Sequence, residues 1–206
     1  MLSLNALLDI PCRLVLASQS PRRNALMRHV GFSFDTIVPN VDEAAVPTDM
    51  PPASYVEHLA LLKAEAAAGM TTDVAIIIGS DTTVVLENVV LNKPADAEDA
   101  KRMLSMLSGK THTVYTGLAL VYTSGTGRHQ RVSSRATHVT FRELSEEEIN
   151  AYVASGSPLD KAGAYGIQDD FGAVFVHRVD GCYYTIVGLP LELLYTELRH
   201  LVRELK

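Results

Sequence analysis

A chain of 206 residues with 47% apolar and 20% charged side chains is long enough to bury a real core, which excludes disorder as the starting expectation. Its formal net charge of −6 argues against broad binding to nucleic acid polymers or to an anionic membrane surface. A small phosphorylated ligand stays open, because a local group of lysines and arginines overrules a net charge.

The first thirteen residues, MLSLNALLDIPCR, are apolar but have no basic region ahead of the leucines, so a secretory leader is not expected. No apolar run approaches the roughly 20 residues that span a bilayer. The expectation is a soluble cytoplasmic protein. Its two cysteines, Cys12 and Cys182, form no CxxC pair and are expected as buried free thiols.

Arg13 to Ser18 reads as a buried strand, and Pro21 opens a helix that Gly31 stops. Phe34 to Val38 is a second strand. A long helix follows from Pro51 and Pro52 to Gly69, with Val56, Leu59, Leu62 and Ala66 expected along its inner face. Val74 to Ile78 is β-branched and apolar, which suits a central strand running into Gly79-Ser80-Asp81-Thr82 at its end. Val84 to Leu91 predicts a hairpin turning at Glu87 and Asn88.

Asp96 caps a helix that Gly109 follows. Residues 111–142 alternate polar and apolar and break at Ser124-Gly125-Thr126-Gly127, predicting a large hairpin. Ser145 and Glu148 form a capping box. Ala173 to Val179 and Tyr183 to Val187 are expected as strands about a turn at Asp180-Gly181. The last helix starts at Pro190 and buries Leu194, Leu198, Leu201, Val202 and Leu205. Helices mixed with hairpins predict a mixed-sheet α/β or α+β protein, with no linker long enough to mark a hard domain boundary within 1–206.

Three polar clusters interrupt this pattern. In Ser18-Gln19-Ser20-Pro21-Arg22-Arg23 a strand passes into a helix, whose free N–H groups and two arginines suit a phosphate. The alternative is a simple Ser20 cap with solvated arginines. Asp42 and Glu43 are either solvated loop charges or oxygen ligands. Asp81, beside an apolar strand, is costly to bury unless it is paired or holds a metal. Two such carboxylates, completed by water and phosphate oxygens, fit Mg²⁺ or Mn²⁺.

Lys63, Lys93 and Lys161 each stand beside such polar residues, though any one alone reads as a surface lysine. GxxxxGK[ST], GxGxxG, GxSxG and HExxH are all missing. The seven histidines lack ligand spacing, and His112 reads as structural or supporting.

Taken in order, these clusters resemble the Maf family of nucleotide pyrophosphatases, from Leu16 to about Pro190. Leu16-Ala17-Ser18-Gln19-Ser20-Pro21-Arg22-Arg23 is similar to the family's opening signature. Asp42-Glu43, Lys63-Ala64, Gly79-Ser80-Asp81-Thr82, Asn92-Lys93-Pro94 and His112-Thr113-Val114-Tyr115-Thr116-Gly117 follow it. Asp160-Lys161-Ala162-Gly163-Ala164-Tyr165-Gly166-Ile167-Gln168 is the most distinctive stretch.

The resemblance implies an elongated α/β sheet with flanking helices, two lobes about a cleft, a fold similar to the inosine-triphosphate pyrophosphatases, and a homodimer. It implies Glu43 and Asp81 as ligands of a divalent cation and of the attacking water, with either one as general base. It also implies Ser18, Arg22, Lys63 and Lys93 on the triphosphate, and Lys161 at the same substrate. Arg23, Thr82 and Gln168 resemble the branch acting on dTTP and UTP, and Thr82 and Gln168 offer hydrogen bonds to a pyrimidine edge.

Asp169-Asp170-Phe171 departs from many relatives by its extra negative charge. Two alternatives stay open: a nucleotide-binding regulator of cell division without turnover, and a pyrophosphatase for non-standard or methylated purine nucleotides. Intact Glu43, Asp81 and Lys93 weigh against the first.

Overall fold

The computed structural model describes residues 3–47, 49–124, 127–168 and 171–206. Met1, Leu2, Thr48, the hairpin-tip residues Gly125 and Thr126, and the acidic pair Asp169-Asp170 lie outside the described residues.

The fold is mixed α/β. In chain order the elements are α1 (Leu4–Leu7), β1 (Arg13–Ala17), α2 (Pro21–His29), β2 (Asp35–Ile37), α3 (Pro52–Ala68), β3 (Ala75–Leu86), β4 (Val89–Leu91), α4 (Ala97–Leu107), β5 (Thr111–Ser124), β6 (Gly127–Phe141), α5 (Glu146–Ala154), β7 (Val176–Asp180), α6 (Tyr183–Val187) and α7 (Leu191–Glu204). Seven strands make one sheet in the order β2-β1-β3-β5-β6-β7, with β4 paired to β3. β1 lies parallel to both neighbours, with Leu16 opposite Thr36 and Ala17 opposite Gly79. β6 and β7 run antiparallel.

Local chemistry sets most boundaries. Ser20 caps α2 with Pro21 in its first turn, and Asp96 caps α4 by accepting from the Asp99 N–H. The Ser145–Glu148 capping box is formed in both directions. Glu87 and Asn88 both take left-handed φ, 51° and 69°, as the tight turn between β3 and β4 requires.

By contacts the chain divides into two units. Unit 1 comprises residues 1–81, 116–135 and 188–206, and unit 2 residues 82–115 and 136–187. A cluster in unit 1 packs Val15, Ala17 and Ile77 of β1 and β3, with Ala119 and Val121 of β5, against Ala60, Ala64 and Ala67 of α3. The larger cluster in unit 2 gathers Met103, Leu104 and Leu107 of α4 with Val84, Phe141, Tyr152, Tyr165 and Phe175.

Five expectations are corrected. Gly79-Ser80-Asp81-Thr82 does not end a strand: β3 continues through it to Leu86, and eleven of its twelve residues are buried. The buried face of α3 is Tyr55, Val56, Leu59, Ala60, Ala64 and Ala67, while Leu62 and Ala66 are half-buried. Val56 and Leu59 lie on the expected face, and Ala60, Ala64 and Ala67 take the places expected of Leu62 and Ala66.

Tyr183–Val187 is a helix rather than a strand. The Thr137 side chain donates to the Cys182 carbonyl at 3.1 Å and accepts from its N–H at 3.0 Å, so these groups leave the ladder just beyond β7. Leu205 caps α7 and is half-buried. Cys12 and Cys182 are free and half-buried rather than buried. Among the described residues no helix is long and apolar enough to cross a membrane.

Candidate active site

Side chains two apart on a strand share a face. Gly79 and Asp81 on β3 therefore face the same way, and α3 covers that face. From α3, Lys63 reaches across: its Nζ donates to Asp81 Oδ1 at 2.5 Å and lies 2.9 Å from Glu43 Oε1. Glu43 begins a short 3-10 turn, Glu43–Ala45.

The Asp81 and Lys63 side chains are 10% and 12% exposed, whereas that of Glu43 is 45% exposed. One cation thus neutralises a buried carboxylate and an open one. A buried carboxylate left without its cation is strongly unfavourable, by roughly 3–5 kcal/mol, so the Lys63–Asp81 pair is a structural requirement.

Ser18 follows β1 and is buried. Its Oγ accepts from the Ser20 N–H at 3.1 Å and from Arg23 Nη1 at 3.4 Å. Ser20 Oγ in turn accepts from the Arg23 N–H, closing the first turn of α2. Arg23 Nε donates to the Gly188 carbonyl at 2.7 Å. The same carbonyl accepts from Ser80 Oγ at 3.1 Å, and Ser80 also donates to the Gly117 carbonyl at 2.8 Å.

Arg23 therefore ties the start of α2 to Gly188, three residues before the final helix. Burial lowers its pKa most; the Asp81 charge opposes this, Arg22 adds to it, and Glu43 opposes it. Arg22 is partly buried at the same helix start.

Unit 1 thus brings together Ser18, Arg23, Glu43, Lys63 and Asp81 from separate segments. The remaining candidates belong to unit 2. Thr82, next to Asp81 in the chain, and Gln168 are partly buried, while Lys93 is exposed. Lys161 is buried, and its Nζ donates to the Ser157 carbonyl at 2.5 Å and to Asp160 Oδ1 at 2.7 Å.

The stretch leading to Gln168 is firmly anchored. The Gly163 N–H donates to the Asn92 carbonyl at 3.2 Å, and Gly163 and Ala164 take left-handed φ, 68° and 60°. His112 Nε2 and the Tyr165 hydroxyl share a hydrogen bond of 2.8 Å, and His112 is 1% exposed. Burial holds His112 neutral, with its pKa pushed down to about 4, and raises that of Tyr165. His112 has the structural placing expected of it.

Sequence reasoning quoted Ser80 without giving it a role and passed over Gly188. The available signals are a hydroxyl inside a buried strand, which needs an acceptor, and a glycine two residues before Pro190.

The carboxylates fit a hard divalent cation. Mg²⁺ binds through one or two carboxylates and keeps its other positions for water and substrate phosphate. Among the described residues no group of three or more His, Cys, Asp or Glu side chains could hold a metal ion.

A family model described as Maf-like protein matches residues 13–201. A dTTP/UTP pyrophosphatase of Moorella thermoacetica is 51% identical over 179 residues, covering 87% of this chain and 90% of that protein. One of Salinibacter ruber is 45% identical over 196 residues, 95% of this chain and 94% of that protein. A solved HAM1 protein of Coxiella burnetii is similar with a TM-score of 0.49 at 18% identity, covering 92% of this chain and 99% of that one.

Proposed function

We propose, for a chain that belongs to the family of Maf-like proteins, that it hydrolyses nucleoside triphosphates, dTTP and UTP above others, to the monophosphate and pyrophosphate. The observation that carries this reading is Lys63 placed between Glu43 and Asp81 beside an α2 N-terminus furnished with Ser18 and Arg22. Relatives called dTTP/UTP pyrophosphatase, aligned over most of the chain, support the choice of substrate.

Hydrolysis at the α-phosphorus forms one P–O bond to water and breaks the bond to the bridging oxygen of the leaving pyrophosphate. Asp81 and Glu43 would hold Mg²⁺ or Mn²⁺. Such an ion supplies charge neutralisation and a more acidic water. A carboxylate of the same pair takes the water's proton, with Asp81 fixed by Lys63 and Glu43 the more open of the two.

Lys63 offsets negative charge as the transition state forms, an effect strengthened by its burial. The backbone N–H groups and cations at the start of α2 bind the phosphates. Arg23 acts by holding Ser18 and Gly188 in place. Thr82 and Gln168 are assigned to the base, and Lys93 and Lys161 to the substrate. The family reading also carries a homodimer acting in the cytoplasm, the dimer being checked by light scattering.

Pyrophosphate release across canonical, deaminated and methylated triphosphates, with Mg²⁺ and then Mn²⁺, tests the function. Selective turnover of dTTP and UTP is expected, and Gln168→Ala is expected to alter that selectivity while leaving cation affinity unchanged. Turnover confined to modified purines would overturn the assignment of the base.

A further inference from the structure

Helix α3 sits closer to the sheet than side chains on both surfaces would allow. A Cβ at Gly79 would lie 2.1 Å from the Ala60 carbonyl oxygen and 2.9 Å from the Ala64 nitrogen. A Cβ at Gly117 would lie 2.2 Å from the Val56 carbonyl oxygen and 2.8 Å from the Glu57 nitrogen. Those partners are backbone atoms, which cannot swing aside as a side chain tip can. Neither glycine has a left-handed φ, so space and not backbone freedom is what glycine supplies at both positions.

Val56, Ala60 and Ala64 are spaced four apart, one ridge of the helix. Lys63 immediately precedes the residue resting over Gly79, and Asp81 shares the Gly79 face of β3. Ser80, facing the other way, ties β3 to Gly117 on the neighbouring strand. The height of α3 above these two strands therefore sets how far Lys63 must reach.

We propose that Gly79 and Gly117 are positioning residues for the hydrolytic centre: together they form a seat that lowers α3 until Lys63 Nζ meets Asp81. This rests on the function proposed above. A methyl group at Gly79 forces α3 outward by at least about 1.3 Å before the contact, 2.1 Å as it stands, reaches ordinary van der Waals distance. A shift of that size moves the 2.5 Å Lys63–Asp81 contact beyond a strong hydrogen bond. Misplacing a reacting group by about 1 Å costs up to about 100-fold in rate. Gly117 lies under Val56, about two helical turns from Lys63, so its effect is smaller.

The test compares kcat and KM on dTTP for wild type, Gly79→Ala, Gly117→Ala and the control Gly69→Ala, whose added Cβ meets nothing closer than 3.5 Å. Each is made with Lys63 and with Lys63→Arg, and circular dichroism and Tm report folding. Gly79→Ala is expected to lose about 10- to 100-fold in kcat with KM within about 3-fold, and Gly117→Ala less. Gly69→Ala is expected to match wild type.

The longer arginine is expected to lower kcat in the wild-type background yet recover part of the loss in Gly79→Ala, a rescue that simple destabilisation does not give. Should both glycine variants fail to fold, Ala64→Ser crowds the seat from the helix side and is expected to show the same loss and the same rescue. Full kcat in a folded Gly79→Ala or Ala64→Ser variant, or a loss that arginine never recovers, overturns the seat. Wild type inert towards every triphosphate brings down the functional reading and the seat with it, an outcome distinct from an active enzyme whose variants are unaffected.

Discussion

Units 1 and 2 both bury polar side chains, but they satisfy them in opposite ways. In unit 1 a single ammonium, Lys63, is shared between a buried carboxylate and one that is 45% exposed. In unit 2 the His112 ring and the Tyr165 hydroxyl bond to each other inside a shell of aromatic rings, with Phe141 4.9 Å from the imidazole. Lys161 likewise spends its Nζ on Ser157 and Asp160 within its own segment.

A cation between unequal partners can give up its exposed one to a phosphate without uncovering the core. A neutral pair closed on itself cannot change partners without breaking the packing around it. The charge around Lys63 in unit 1 can rearrange about a ligand, whereas the His112–Tyr165 pair in unit 2 holds a backbone stretch in shape.

The largest expected effect breaks the first half of that contrast. Asp81→Asn keeps the shape of the side chain but removes its charge, and kcat should fall at least about 1000-fold while the protein still folds, at a lowered Tm. Activity within a few-fold of wild type would place the reactive centre elsewhere.

The second prediction concerns pH. The folded-state pKa of His112 is about 4, below its ordinary value of 6.5, so the unfolded chain binds the extra proton first. Its contribution to stability is complete above pH 6.5 and is lost as pH falls towards 4, by up to roughly 3 kcal/mol. Urea unfolding at pH 7 and pH 4.5 should show a smaller pH dependence in His112→Phe than in wild type. An identical dependence would mean that His112 is charged in the folded protein.

The smallest effect is expected at Ala164, a non-glycine residue at φ 60°. Ala164→Gly relieves a left-handed strain of about 1–2 kcal/mol but gains chain entropy on unfolding. The net change should be a stabilisation below about 1 kcal/mol, measured as a small rise in Tm. Clear destabilisation would show that the Ala164 methyl packs more usefully than its backbone is strained.

Much of this was legible along the chain. Caps at Ser20, Asp96 and Ser145 announced three helices, and the ordered polar clusters marked the residues that gather around Asp81. What was missed depends on contacts between distant segments. Glycine at 79 looked like the end of a strand, since glycine weakens strand propensity; its use, room for the Ala60 carbonyl, exists only once α3 is in place.

The same packing explains why Ala60, Ala64 and Ala67, and not Leu62 and Ala66, face the sheet. Tyr183–Val187 reads as β by composition, and only Thr137, 45 residues earlier, shows why the chain leaves the sheet at Cys182. Arg23 is expected at the substrate because arginine forks match phosphate; that its Nε also lies on a carbonyl 165 residues away is a contact no local pattern could show. The acidic departure at Asp169-Asp170 falls outside the described residues.

The proposed attack of water on the α-phosphorus, directed by Glu43 and Asp81, is tested by turnover of dTTP in ¹⁸O-water with both products weighed by mass spectrometry. One ¹⁸O is expected in the thymidine monophosphate and none in the pyrophosphate. Label in the pyrophosphate, or release of orthophosphate in its place, would contradict it.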